Sequence, residues 1–334
     1  MRALELVEQR SDVKEAIRGL RVVEKSVPRP GRGQVLVRIE AAPCNPSDLL
    51  FLQGLYGVTK TLPTTPGWEG AGTVVASGGG LLGRWLTGKR VSCGGQSDAD
   101  GTWAEYYIAE TGACAPLHRD VDFDRGATML INPMTAVGLM DVAARGRHRA
   151  LIQTGAASQV GRMLVRLASD AGLPLVNVVR RPAQVEILRS LGAEHVLDSS
   201  DGNFDGSLER ICTDLGVTMA IEAVAGEMTG KLLDVMPRGS VAVVYGALSE
   251  EDCSGIDPIG LIFAAKRVDG FYLGDWIRER GYLGTLRALS RVQRLIREGA
   301  IETAVQLRVG LDGASDALLQ YVGRMTDGKV LIKP

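Results

Sequence analysis

Between Met1 and about residue 120 the apolar positions recur with a period of two, in short runs separated by glycine-rich turns. Residues 34–42, 71–76 and 90–93 each read as a strand that buries one face, and together they predict a β-rich unit. Near Asp124 the spacing becomes helical, and a helix is expected through Ala127, Thr128, Met129 and Leu130 and on to Ala143 and Ala144. From about 125 to 275 strand and helix patterns alternate, which predicts a parallel sheet covered on both faces. Its strands are expected before Gly155 and at 175–179, 195–197, 218–222, 240–245 and 268–273, the six of a doubly wound dinucleotide-binding sheet. After Trp276 an arginine-rich amphipathic helix runs roughly to Glu298, its arginines forming a wet face rather than a binding patch. Residues 328–334 read as a last strand that rejoins the first unit. The chain thus divides into 1–124 with 276–334, and 125–275.

The junction at residues 149–161 carries the most specific chemistry. An apolar run stops at Gly155, and Gly161 opens a helical pattern with Met163, Leu164, Leu167 and Ala168. A strand, a turn of small residues and a helix N-terminus, in that order, direct unpaired backbone N–H groups and the positive end of a helix dipole at an anion. Small residues also let the backbone approach a pyrophosphate closely. Gly155, Ala156, Ser158, Gln159, Val160 and Gly161 are the candidate cradle. Ser158 replaces the central glycine of G-x-G-x-x-G, and strand–glycine–helix corners also occur as plain packing. The next strand ends in Arg180 and Arg181, about 20 residues past the turn, where an acidic residue would hold the 2′-hydroxyl of NAD and an arginine a 2′-phosphate. Adjacent arginines are otherwise a solvated loop; here their position points to NADP(H). Tyr245 and Gly246, and Phe271 and Leu273, fall at the ends of the fifth and sixth strands, the side of such a sheet that faces ligand, although Phe271 and Trp276 read equally well as core.

Composition narrows the remainder. The 334 residues, 45% hydrophobic and 23% charged, suffice for two domains. A formal net charge of −1 gives nucleic acid no electrostatic footprint, so a small-molecule substrate is expected. No apolar stretch approaches a bilayer span and the N-terminus lacks a signal-peptide core, which predicts a cytoplasmic protein without membrane attachment. Five cysteines (Cys44, Cys93, Cys114, Cys212, Cys253) lack C-x-x-C spacing and are expected to be reduced and mostly buried.

The order of these pieces resembles a medium-chain dehydrogenase/reductase over essentially the whole length. The resemblance rests on the β-rich first half, Pro66-Gly67-Trp68-Glu69-Gly70-Ala71-Gly72, the nucleotide turn, Leu191-Gly192-Ala193-Glu194-His195-Val196 and the terminal Gly-Lys-Val-Leu. It implies a GroES-like catalytic domain with a Rossmann domain inserted. Zinc enzymes of this superfamily place a cysteine where Asn45 stands and a histidine where Trp68 stands. The three histidines (His118, His148, His195) lie at no ligand spacing to a cysteine, so no metal is expected. Asn45-Pro-Ser-Asp48, Gln53-Gly54-Leu55-Tyr56-Gly57, Gln153 through Gly161, Asn177-Val-Val-Arg180, Ile131-Asn132-Pro133-Met134-Thr135-Ala136 and Gly270-Phe271-Tyr272-Leu273-Gly274-Asp275-Trp276 are similar to the zinc-free quinone oxidoreductases and 2-enoyl thioester reductases.

What that branch implies is hydride delivery from NADPH to the β-carbon of an enone or enoyl thioester, or to a quinone. Charge on the carbonyl oxygen then needs a hydrogen-bond donor and the α-carbon a proton. Tyr56 is the candidate donor, its alternative an aromatic plug at a strand end. The resemblance puts Asn45 and Asp48 at the nicotinamide, whereas read alone Asn-Pro-Ser-Asp is a turn or helix cap, the better reading for Asp48. Thr135 resembles the threonine that faces the nicotinamide; a mid-helix threonine without special role is its rival. Trp68 fills vacated metal space or simply packs, Glu69 reads as structural rather than as a base, and Cys44 as a buried, inert thiol. A homodimer pairing its sheets through the sixth strand is implied. A catalytically silent NADPH-binding protein, either sensor or structural, is the reading from a different class.

Overall fold

The computed structural model describes residues 1–334, and packing separates them into residues 1–132 with 285–334, and residues 133–284. The breaks in pattern had placed these borders at 124/125 and 275/276.

In the first unit the strand Gln34–Pro43 is the hub. It pairs antiparallel with Glu69–Ser77, with Tyr106–Glu110 and with the C-terminal strand Lys329–Ile332. Arg90–Gly94 and Cys114–Pro116 extend one side of the sheet and Val305–Val309 the other. Alternation holds only in its middle, where Val37 and Ile39 are buried around exposed Arg38; Val35 to Val37 before it and Ala41 to Pro43 after it are buried on both faces. At this point the helix Pro46–Gln53 leaves the sheet. Asn45 is extended at its N-cap, Pro46 supplies a preset φ, and Gly54 at φ +76° ends it. Phe51, Trp68 and Trp103 are among the largest side chains of the core beneath.

The helix expected from Ala127 through Ala144 is two. Phe123–Ala127 stops, and Asn132–Arg145 starts afresh. Between them the N–H groups of Leu130 and Ile131 turn to the Glu69 carboxylate, at 2.9 and 3.0 Å. A buried acceptor far away in sequence outcompetes the local helical ladder there, which helical spacing cannot reveal.

The second unit is a six-stranded parallel sheet whose spatial order, counted along the chain, is 3-2-1-4-5-6. Its members are Leu151–Gln153, Leu175–Val179, His195–Asp198, Met219–Glu222, Val241–Val244 and Arg267–Gly270. Together the units form the mixed α/β architecture that the pattern implied, a β-rich GroES-like part and a doubly wound Rossmann part. Two strands end sooner than expected. The fifth stops at Val244, before Tyr245, and the sixth at Gly270, so Phe271 follows the strand and Leu273 opens the helix Leu273–Arg297. That helix is interrupted at Gly281, whose φ of 65° and ψ of 179° are not helical. Leu175–Val179 is buried at every residue, whereas Arg267–Gly270, on the sheet edge, is exposed at every one. No helix is long and apolar enough to cross a membrane.

Candidate functional site

In the Rossmann unit the first strand ends in a turn built for close approach. Gly155 sits at φ +57°, in the left-handed region. A Cβ on Gly161 would stand 2.3 Å from the Ala156 carbonyl oxygen, so only glycine lets the helix begin that close to the turn. Ser158, extended at φ −68° and ψ 167°, is the N-cap of Gln159–Asp170, and its Oγ accepts the Gly161 N–H at 3.1 Å. The Tyr245 hydroxyl also hydrogen-bonds Ser158, while burial holds the Tyr245 phenol above its usual range. Ala156, Gln159 and Val160 are buried, so their share of the cradle is backbone.

The turn is locked from below by a group to which the sequence reading gave no role. Glu222, at the end of the fourth strand, accepts from Thr154 Oγ1 at 2.8 Å, Val224 N–H at 2.5 Å and Ala225 N–H at 3.0 Å. Burial raises this carboxyl and the donated bonds oppose the rise. Gln153 Nε2 donates to the Gly161 carbonyl at 3.0 Å and to Asn177 Oδ1 at 2.7 Å, tying first strand, helix and second strand together. The second strand adjoins the turn: Ala156 N–H donates to the Val178 carbonyl at 3.2 Å. At its far end Arg180 and Arg181 are exposed, and no carboxylate pairs with either guanidinium. A backbone-lined cradle at a helix N-terminus fits the pyrophosphate of a dinucleotide, and two uncommitted guanidinium groups lie one strand over.

Thr135 is buried in the first turn of Asn132–Arg145, the helix that precedes the first strand of this sheet, and so is not the mid-helix threonine of the rival reading. Phe271 packs on Gly138, where a Cβ would meet its Cζ at 2.5 Å. Trp276 is core, its indole N–H donating to Asp141 at 3.1 Å.

In the GroES-like unit Asn45, Asp48 and Glu69 come together, all buried. Asp48 accepts the Asn45 N–H at 2.7 Å, the capping role that its spacing suggested. Asn45 Nδ2 donates to Glu69 Oε1 at 3.0 Å, while Asn45 Oδ1 and Asp48 Oδ1 lack a protein partner. Burial lifts Asp48 to about 7 and also raises Glu69, against the N–H groups that each accepts. The counter-charge is Lys329, on the terminal strand and also buried. Desolvation lowers its pKa although Cys44, Glu69 and Asp48 pull the other way. The Cys44 thiol is pushed far up by burial, consistent with an inert group. No set of three His, Cys, Asp or Glu side chains is arranged to hold a metal ion.

Tyr56 lies in the loop after Gly54, half-buried, its ring 5.5 Å from that of Trp68. Trp68 is almost wholly buried, with Phe51 edge-on at 5.1 Å and Lys60 Nζ 4.6 Å over its face. Lys60 donates to the Ala99 carbonyl at 2.7 Å, and burial pushes its ammonium down to about 8. The Tyr56 hydroxyl accepts from Gln96 Nε2. Lys60, Gln96, Glu222 and Lys329 went unnoticed in the sequence because each acts on a partner distant along the chain.

Two family descriptions match: "Alcohol dehydrogenase GroES-like domain" over residues 31–119 and "Zinc-binding dehydrogenase" over residues 160–288. A structure from Mesorhizobium loti, described as that of a candidate NADPH:quinone reductase, superposes with a TM-score of 0.93 at 32% identity and covers 100% of this chain and 98% of its own. The chain belongs to the medium-chain dehydrogenase/reductase superfamily. A mitochondrial enoyl-[acyl-carrier-protein] reductase of Caenorhabditis elegans is 29% identical over 286 residues, 83% of this chain and 80% of that protein. A mycobacterial structure complexed with NADPH is 25% identical, with a TM-score of 0.84 and 100% coverage of both chains. These relatives place this oxidoreductase on the superfamily's branch of quinone and enoyl reductases. Asn45 is spent on a carboxylate and Trp68 on a packed aromatic cluster.

Proposed function

We propose that this medium-chain reductase uses NADPH, without a metal, to reduce an activated C=C bond of an enone or 2-enoyl thioester, or a quinone. The observation that carries the reading is the cradle at Gly155, Ser158 and Gly161 with the unpaired, exposed guanidinium groups of Arg180 and Arg181 at the end of the neighbouring strand. Gly155 and the first-turn backbone would hold the pyrophosphate, and the two arginines would take the 2′-phosphate in charge-assisted bonds. Residues just past the fifth and sixth strands, Tyr245, Gly246, Phe271 and Leu273, would meet the nicotinamide half, with Thr135 of the same unit as a further group that orients it. Bound in this way NADPH supplies the hydride. The protein's part is then the proton. Tyr56 donates its O–H to the oxygen that gains charge, or gives the proton up to the substrate, and the pair of electrons stays on Oη. The metal-free reading is supported by the donor set: Asn45 commits its amide to Glu69, and Trp68 offers no ligand atom for zinc.

The test is NADPH oxidation over a panel of quinones, enones and 2-enoyl thioesters, run with and without a strong chelator. Turnover of at least one class, unaffected by chelation, is expected. Activity that disappears with the chelator would overturn the metal-free reading, and NADPH binding without turnover of any class would favour the silent binding protein.

The edge strand Arg267–Gly270 leaves a row of backbone groups for another sheet, and the helix Pro258–Phe263 beside it in sequence has no buried residue. Ile262 and Phe263 are each about two-thirds exposed, at 67% and 66%. A second copy across a twofold axis satisfies such an edge, so a homodimer through the sixth strand is proposed. Light scattering should give twice the chain mass, and Val268→Lys should shift it toward the monomer; a monomeric wild type would contradict the dimer.

A further inference from the structure

We propose that Gln96 is a positioning residue for Tyr56: its side-chain amide donates to the phenol oxygen and so fixes the O–H as the donor that faces substrate. The inference rests on the reading of Tyr56 as proton donor and adds a residue that the reading did not contain.

Gln96 Nε2 donates to Tyr56 Oη, and both residues are half-buried on loops of the GroES-like unit. A phenol oxygen has one proton to give and lone pairs to receive with. An amide N–H arriving at the lone pair leaves the proton to point elsewhere. It has a second effect when the proton departs: the O–H bond breaks, the electron pair remains on Oη, and the same N–H then meets a phenolate, to which its bond is stronger. Gln96 therefore favours the product of the proton transfer more than the reactant.

The loop that bears Gln96 is held in register with the segment that follows Tyr56. Asp98 accepts from the Thr61 N–H at 2.5 Å and from Thr61 Oγ1 at 3.2 Å. Lys60 Nζ reaches the Ala99 carbonyl at 2.7 Å, and Asp100 takes the Thr65 N–H at 2.7 Å. The Gly95 N–H donates to the Trp68 carbonyl at 3.0 Å, directly before Gln96. Trp68 is also the ring against which Tyr56 lies, at 5.5 Å. Donor and acceptor are thus anchored to one another on both flanks, the arrangement that preorganisation of a reacting group requires.

The test compares wild type, Gln96→Leu, Gln96→Glu and Tyr56→Phe as full-length proteins. The phenolate band is titrated by ultraviolet difference against a matched Tyr56→Phe background, and kcat is measured with trans-2-hexenoyl-CoA and 9,10-phenanthrenequinone. Removal of the donor in Gln96→Leu should move Tyr56 ionisation upward by about one pH unit and lower kcat about tenfold, with NADPH affinity unchanged. Gln96→Glu, which can only accept, should shift the ionisation further upward. Tyr56→Phe combined with Gln96→Leu should be no slower than Tyr56→Phe alone. The unchanged nucleotide affinity separates these effects from misfolding. Tyr56 ionisation at the same pH in wild type and Gln96→Leu would overturn the proposal while leaving Tyr56's own role intact. Full turnover by Tyr56→Phe would overturn both.

Discussion

The two units solve opposite electrostatic problems. In the Rossmann unit Arg180 and Arg181, proposed above to meet the nucleotide, are held out in water at a strand end, and the turn beside them is polar through its backbone. In the GroES-like unit Asp48, Glu69 and Lys329 are drawn wholly inside, where desolvation raises the two acids and lowers the base. An exposed cation is cheap to keep but binds only what comes to it. A buried cluster is costly and sensitive to pH, and it fixes geometry: it holds the Asn45–Asp48 cap, the Asn45 amide and the helix break at Leu130 in one arrangement.

Removal of the buried counter-charge breaks the contrast most sharply. Lys329→Met removes the buried cation that acts on both carboxylates, leaving Asp48 only the Lys60 ammonium, and should cost about 3–5 kcal/mol of stability at pH 8 by urea denaturation. The cost should shrink at about pH 5, where the raised Asp48 and Glu69 are already protonated. An equal cost at both values would show that the lysine acts by packing alone.

Asp48→Asn sharpens the same side of the comparison. A carboxyl whose folded pKa is raised from about 4 to about 7 favours the folded state most when protonated, below its unfolded pKa, and that contribution is lost as pH rises through 7. The asparagine keeps an acceptor for the Asn45 N–H but cannot ionise. The variant should therefore lack part of the wild type's decline in stability between about pH 4 and 8, ending about 2–4 kcal/mol nearer to it or above it at the alkaline end. Parallel pH profiles would mean that Asp48 is solvated.

The smallest effect belongs to the exposed side. Arg180→Ala with Arg181→Ala should leave stability unchanged and weaken NADPH binding by roughly 10–100-fold, with NADH unaffected. Equal losses for the two nucleotides would place the arginines somewhere other than at the 2′-phosphate.

The same division explains what could be read from the sequence. The nucleotide turn was legible because its parts are neighbours: Ser158 caps the Gly161 N–H three residues on, and Gly155 and Gly161 bracket one junction. The six strands of the parallel sheet were legible as buried, β-branched runs, though Tyr245 and Phe271 fall just beyond strands expected to contain them. The GroES-like site was legible as the local Asn45–Asp48 cap and as the single residues Tyr56, Trp68 and Glu69, without their partners. Glu69 reaches Leu130 and Ile131 across 61 and 62 residues, and Gln96 reaches Tyr56 across 40. No periodicity connects such partners; only the pairing of Lys329–Ile332 with Gln34–Pro43 brings Lys329 to the residues that follow that strand.

The central claim, that the Rossmann unit is built for a 2′-phosphorylated nucleotide, is tested most directly by titrating NADPH and NADH in parallel into the wild-type protein and following nucleotide fluorescence. Binding of NADPH should be tighter by roughly 100-fold. Equal affinities, or a preference for NADH, would contradict it.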